Sequence, residues 1–162
     1  MRLLLTFAVL VSASSRAGER ERPAVLADFS IGPSLGVLIA GGGSGPLGGI
    51  GLHGSLAYRV SPFAALGLVA DTQAWFTGGL FLLGTIAPAV RLGDVGHVTI
   101  ALGPSVLVLA TYRGGVGLMG TLLVHGGFPL HGAFGIHPQL SLSVSKDFAL
   151  VGVGFSFGGS VY

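Results

Sequence analysis

From Ala133 to Ser145 the chain alternates without a break. Phe134, Ile136, Pro138, Leu140, Leu142 and Val144 take one parity, and Ala133, Gly135, His137, Gln139, Ser141, Ser143 and Ser145 take the other. An α-helix, with its period of 3.6, cannot sort residues in this way, whereas a β-strand sends successive side chains to opposite faces. The segment is therefore a strand with one apolar face and one polar or small face. Ile50 to Val60 repeats the pattern, with Ile50, Leu52, Gly54, Leu56, Tyr58 and Val60 against Gly51, His53, Ser55, Ala57 and Arg59. Weaker versions occupy Phe29 to Ala40, Phe63 to Phe76, Leu80 to Leu92, His97 to Tyr112, Gly117 to Phe128 and Phe148 to Phe157. Turn chemistry separates the segments at Gly41 to Gly45, Ser61-Pro62, Thr77 to Gly79, Gly93 to Gly96, Arg113 to Gly115, Pro129 to Gly132 and Lys146-Asp147. Eight strands are expected, an even number.

Which face is inside follows from size and charge. Only 9% of the residues are charged, against about 25% in an ordinary soluble domain, and the mean hydropathy is +0.83. An eight-stranded barrel is filled by its own side chains, so the small and polar face suits the lumen and the Leu, Ile, Val, Phe and Pro face suits lipid. Segments of about ten residues or more match tilted transmembrane strands. Tyr58, Phe63, Phe76, Tyr112, Phe128, Phe134 and Phe148 lie near the turns, as an aromatic girdle requires. Pro33, Pro88, Pro104 and Pro138 all fall on the apolar parity and are read as marking bulged pairings, because proline removes a ladder donor.

Met1 and Arg2 precede the apolar run Leu3 to Val11, and Ser15-Arg16-Ala17 offers a small-x-small cleavage site. The expected organisation is a signal peptide over residues 1–17, a short leader over 18–27 and the barrel over 28–162. The fold class expected is all-β: an eight-stranded antiparallel up-and-down transmembrane β-barrel, preceded by a signal peptide. A helical multi-span inner-membrane protein is the rival, since Phe29 to Tyr58, Thr72 to Val90, Val95 to Tyr112 and Gly114 to Ser145 are uncharged and long enough to span. The strict alternation, the 30 glycines and the turn signals within the last stretch favour the barrel.

The formal charge of +2 arises in the first 22 residues; beyond them Arg59, Arg91, Arg113 and Lys146 balance Asp28, Asp71, Asp94 and Asp147. No clustered basic face is available for nucleic acid, so none is expected as a partner. The absence of cysteine excludes disulfides, thiolate metal sites and a lipid-modified N-terminal cysteine.

The hairpin Ala57-Tyr58-Arg59-Val60-Ser61-Pro62-Phe63-Ala64-Ala65-Leu66-Gly67-Leu68 resembles the strand, short turn, strand unit of small Gram-negative outer-membrane barrels of the OmpA, OmpX and OmpW type. The resemblance covers roughly residues 28 to 162. It implies export through the periplasm, insertion by the barrel-assembly machinery and residence in the outer-membrane bilayer. It also implies a last strand of alternating apolar residues closing on an aromatic, which Val151, Val153, Phe155 and Phe157 match. Tyr162 has the opposite parity, so either a bulge at Gly158-Gly159 restores the register or Phe157 is the effective end. The outer loops are shorter than in many relatives, which speaks against a receptor or adhesin.

No catalytic, cofactor or metal site is expected. Some barrels of this class resemble lipid A modifying enzymes that use His, Ser and an acid, but this chain has no glutamate after Glu21. Asp71 is the single acid inside an expected strand away from its ends. His53, His97, His125, His131 and His137 lie on different segments at no ligand-like spacing, and are read as packed, hydrogen-bonded groups. Gly41 to Gly43 and Gly45 to Gly49 are not phosphate loops, because no Gly-Lys-Ser/Thr follows. Arg59, Asp71 and Arg91 share the inward parity and are expected to form a structural polar cluster in the lumen, with a gating or proton-sensitive role as the alternative and with Arg91 near Arg59 on one rim, since a charge there must be paired. Inward Val69, Leu83, Leu107, Leu109 and Leu123 leave a narrow channel for small apolar solutes as the second functional reading. The first is a structural or interaction barrel with a mostly filled lumen.

Overall fold

The computed structural model describes residues 24–76, 79–94, 96–110 and 114–161. The expected signal peptide, and the leader as far as residue 23, lie outside them. The strands are β1 (Val25–Ala40), β2 (Gly43–Ser61), β3 (Ala64–Phe76), β4 (Leu80–Gly93), β5 (His97–Ala110), β6 (Gly115–His131), β7 (Phe134–Val144) and β8 (Phe148–Val161). Each pairs antiparallel with its predecessor, and β8 returns to β1, closing the barrel. Closure leaves no strand edge to satisfy, the condition for crossing hydrocarbon with strands. Among the described residues no helix is long and apolar enough to cross a membrane, and the helical alternative falls.

All eight expected segments are strands, and three of them extend four or more residues beyond their expected bounds. β1 starts at Val25, β2 at Gly43 and β8 ends at Val161. The glycine-rich start of β2 read as a turn; in the fold it ladders with β1 from Ala40↔Gly43 to Ser34↔Gly49. Alternation cannot be seen where residues carry no side chain, yet their backbone pairs as well as any other.

The prolines do not bulge the sheet. Pro33 pairs with Ile50, Pro88 with Leu68, Pro104 with Gly120 and Pro138 with Phe155, each in register. On the other side of each proline the ladder lapses, between Ile31↔Phe157 and Ser34↔Gly154, Thr85↔Ser105 and Ala89↔Ala101, and His125↔Gln139 and Phe128↔Ile136. Both strands advance by the same number of residues across each lapse. A missing N–H thus costs a bond on one side while the other neighbour holds the register. The register shifts lie instead at Arg59/Ser61 and Pro129/His131, beside the turns. Nor is there a bulge at Gly158-Gly159: β8 keeps one register with β1 through Asp28↔Ser160. A Cβ on Gly158 would run into the Phe29 carbonyl oxygen, and one on Gly32 into that of Phe155. These glycines let β1 and β8 approach closely at the closing seam.

The faces follow the alternation. Leu56, Leu68, Ile86, Leu102, Leu118 and Phe155 point outward and are more than half exposed, while Trp75, Leu83, Ala87 and His137 are fully buried. Such an apolar belt around a closed barrel is a lipid-facing surface. Tyr58, Phe63, Phe128 and Phe134 lie exposed near the rim that carries Val25 and Val161, and Phe76 near the opposite rim. Phe148 departs from the expected girdle: its parity is inward, and it packs against the lumen cluster at the opposite rim. Leu140, outward in mid-strand and paired with Val124 and Val153, tests the assignment. Leu140→Lys is expected to lower folding stability in bilayers by about 2–4 kcal/mol, whereas Ala133→Lys in the exposed β6–β7 turn stays within about 0.5 kcal/mol. Equal costs in a urea titration would remove the lipid-facing assignment.

Candidate functional site

The candidate site is the lumen itself. At the rim formed by the β1–β2, β3–β4, β5–β6 and β7–β8 connections, Trp75 packs with Leu47, Leu83, Leu107, Met119 and Leu150. Its indole occupies a slot of glycines: a Cβ on Gly36 or Gly152 would lie 2.9 Å from the ring, and one on Gly49 3.0 Å. β1, β2 and β8 thus give up side chains so that β3 can send one large ring across the lumen. Beneath it runs a belt of hydroxyls. Thr85 Oγ1 and Ser105 Oγ are 2.6 Å apart, Ser105 Oγ donates to Thr121 Oγ1 at 2.6 Å, and Thr121 Oγ1 donates to Ser143 Oγ at 2.7 Å. The inward parity of β4 to β7 supplies one hydroxyl each, so the four satisfy one another without water.

Towards the N-terminal rim the contents become ionisable. Asp71 accepts from Gln73 Nε2 at 2.7 Å and from Gln139 Nε2 at 3.0 Å, and His53 Nδ1 lies 3.4 Å from its Oδ1. The His53 ring stacks on that of His125 with centroids 3.7 Å apart, and His125 lies 5.2 Å from His137. Below them Asp28 Oδ2 accepts from Arg91 Nη1 at 2.7 Å and from Ser55 Oγ at 2.8 Å, with His97 Nε2 at 3.3 Å. His53, Asp71, Arg91, Asp28, His97, His125 and His137 are all buried, none more than 2% exposed.

In a ring of eight, strands four apart face each other across the lumen. Asp28–His97 ties β1 to β5, His53–His125 ties β2 to β6, and Asp71–Gln139 ties β3 to β7. These contacts set the cross-section of the barrel. Beside Ser34, Gln73, Trp75, Gln139 and Ser141 a space of about 10 Å³ remains, room for about one water.

The structure distributes the expected trio Arg59, Asp71 and Arg91 over three sets rather than one cluster. Arg59 sits at the rim, its Nη2 3.0 Å from Asp94 Oδ1, and its Nη1 donates to the Pro62 carbonyl. Asp71 belongs with the glutamines and His53, and Arg91 with Asp28. Arg59 and Arg91 flank Ala65 at one level of the ladder, as expected for a shared rim, but they turn to different carboxylates, Asp94 and Asp28. The sequence reading missed Asp28, which it set at the head of the barrel, outside the first expected strand. Extending the alternation backward through Ser30, Asp28 and Leu26 would have turned it inward. Among the described residues no group of three or more His, Asp or Glu is arranged to hold a metal ion; parallel stacking aims the ring nitrogens of His53 and His125 at no common point. His131 lies exposed near the β6–β7 turn.

A closed ring of eight antiparallel strands, apolar outside and filled inside, is the fold of a small transmembrane β-barrel. The attachment invasion locus protein Ail of Yersinia pestis has a similar structure, with 13% identity, 85% of this chain and 99% of that chain covered, and a TM-score of 0.59. The same protein in complex with the heparin analogue sucrose octasulfate matches at 12% identity over 85% and 99% of the two chains, with a TM-score of 0.58. Neisserial surface protein A matches at 11% identity over 86% and 97%, with a TM-score of 0.55. At these identities the likeness is one of fold. No protein-family model and no curated protein matches the sequence.

Proposed function

We propose that this chain is an integral outer-membrane barrel with a structural or interaction role, closed to solutes at rest. The observation that carries the reading is the filled lumen inside a lipid-facing wall: Trp75 and its leucines seal one end, and the cross-lumen ties occupy the middle. Of the inward side chains that admitted a channel for apolar solutes, Leu83, Leu107 and Leu109 belong to that seal, and Val69 and Leu123 pack with Ala87, Ala89 and Ala101 in a second buried cluster. Catalysis is not part of the proposal, because the imidazoles and carboxylates of the lumen are buried where no substrate reaches them. The β1–β2 and β7–β8 turns are short, Gly41–Gly42 and Ser145–Asp147, which limits the surface offered to a partner and weights the role towards structure. Insertion is assigned to the barrel-assembly machinery, for which Val151, Val153, Phe155 and Phe157 present one outward row. Sparse, dispersed charge offers nothing to nucleic acid.

The test is made on refolded protein. It is expected to migrate faster unboiled than boiled and to give no stepwise conductance in planar bilayers near neutral pH. Stepwise conductance there would overturn the closed lumen and restore the channel reading.

A further inference from the structure

The histidine stack is the feature that a purely structural filling explains least. Apolar side chains would fill the same space without placing imidazoles face to face. The His53 and His125 planes are inclined by 14° at 3.7 Å, and those of His125 and His137 by 23° at 5.2 Å. β2 and β6 are opposite walls, so this contact helps to hold the lumen shut. Neither ring nitrogen of His125 has a hydrogen-bond partner among the described residues.

The charged groups around the stack are few. β3 supplies Asp71, against His53. β1 supplies Asp28, already matched by Arg91 from β4 and close to His97 from β5. β8 supplies the serines Ser156 and Ser160, and the remaining neighbours Gln73 and Gln139 carry no charge. One proton on the stack is therefore balanced by Asp71. A second places two cations 3.7 Å apart, offset only by Asp28, whose charge Arg91 already matches, and burial leaves little water to screen the repulsion.

We propose that His53, His125 and His137 form an acid-operated latch, which ties β2 to β6 while uncharged and releases that contact when a second proton enters. The latch rests on the closed-lumen reading and adds a regulation to it. Histidine is the side chain whose charge changes in the range of about pH 5 to 8, so the response separates from that of the carboxylates.

The experiment is conductance of the refolded chain in planar bilayers at about pH 7.5 and about pH 5, with folding followed by unboiled migration. Wild type is expected to be silent at the higher pH and to open at the lower, with a dependence steeper than one proton. His125→Phe keeps a flat ring and accepts no proton, so it is expected to stay silent at both; His125→Gln serves the same purpose if the phenylalanine variant refolds poorly. A wild type silent at both values, or a folded variant that opens as wild type does, overturns the latch and leaves the closed lumen standing. Conductance of wild type already at the higher pH overturns the closed lumen itself, and the latch with it.

Discussion

Arg91→Met is expected to lower the stability of the folded barrel by about 3–5 kcal/mol, the cost of removing one partner from a buried ion pair. Arg91 Nη1 lies 2.7 Å from Asp28 Oδ2, and both side chains are sealed from solvent, at 1% and 0% exposure. The substitution keeps most of the volume, so the loss comes from the carboxylate left behind rather than from a void. Adding Asp28→Asn to Arg91→Met is expected to recover most of the loss, because a pair removed together is often close to neutral. Urea titrations of the three variants in one lipid system measure the coupling. A loss below about 1 kcal/mol for the single variant would place the pair in the class of exposed ion pairs and contradict its burial.

Trp75→Ala is expected to cost a similar amount, about 3–5 kcal/mol, for a different reason. The ring is fully buried, and the residues beside it on β1, β2 and β8 are Gly36, Gly49 and Gly152, which have no side chains to move into the space. The site cannot collapse, so the void persists between the glycines and Leu47, Leu83, Leu107 and Met119. A dry apolar void binds a small apolar molecule, so benzene is expected to raise the stability of Trp75→Ala and leave that of wild type unchanged. No gain with benzene, together with a loss under about 1 kcal/mol, would show that the indole does not fill the lumen as described.

The strand count, the order of the strands and the inward and outward faces were legible in the chain because they follow from short-range alternation. His137 and Leu140 were assigned to opposite faces from their parity alone, and both lie where that parity puts them. Where side chains are missing or ambiguous the signal failed: Gly43 to Gly49 hid the start of β2, and Asp28 was separated from the strand that contains it. Pro33, Pro88, Pro104 and Pro138 carried a real message about missing donors, but not whether the register would shift. That depended on the second neighbour of each strand, which continued to pair.

What the sequence determined by itself was that one parity of every strand would face lipid and the other would fill a barrel, since a period of two is set residue by residue along the backbone. Only the tertiary structure decided which inward groups meet. Asp28 found Arg91 and His97, His53 found His125, Asp71 found Gln139, and Trp75 found three glycines. Apart from Gly49, which pairs directly with Trp75 across β2 and β3, these partners stand on strands that are not neighbours in the sheet. Their contact depends on how the ring closes and on the stagger between its strands, and no local pattern of residues records either.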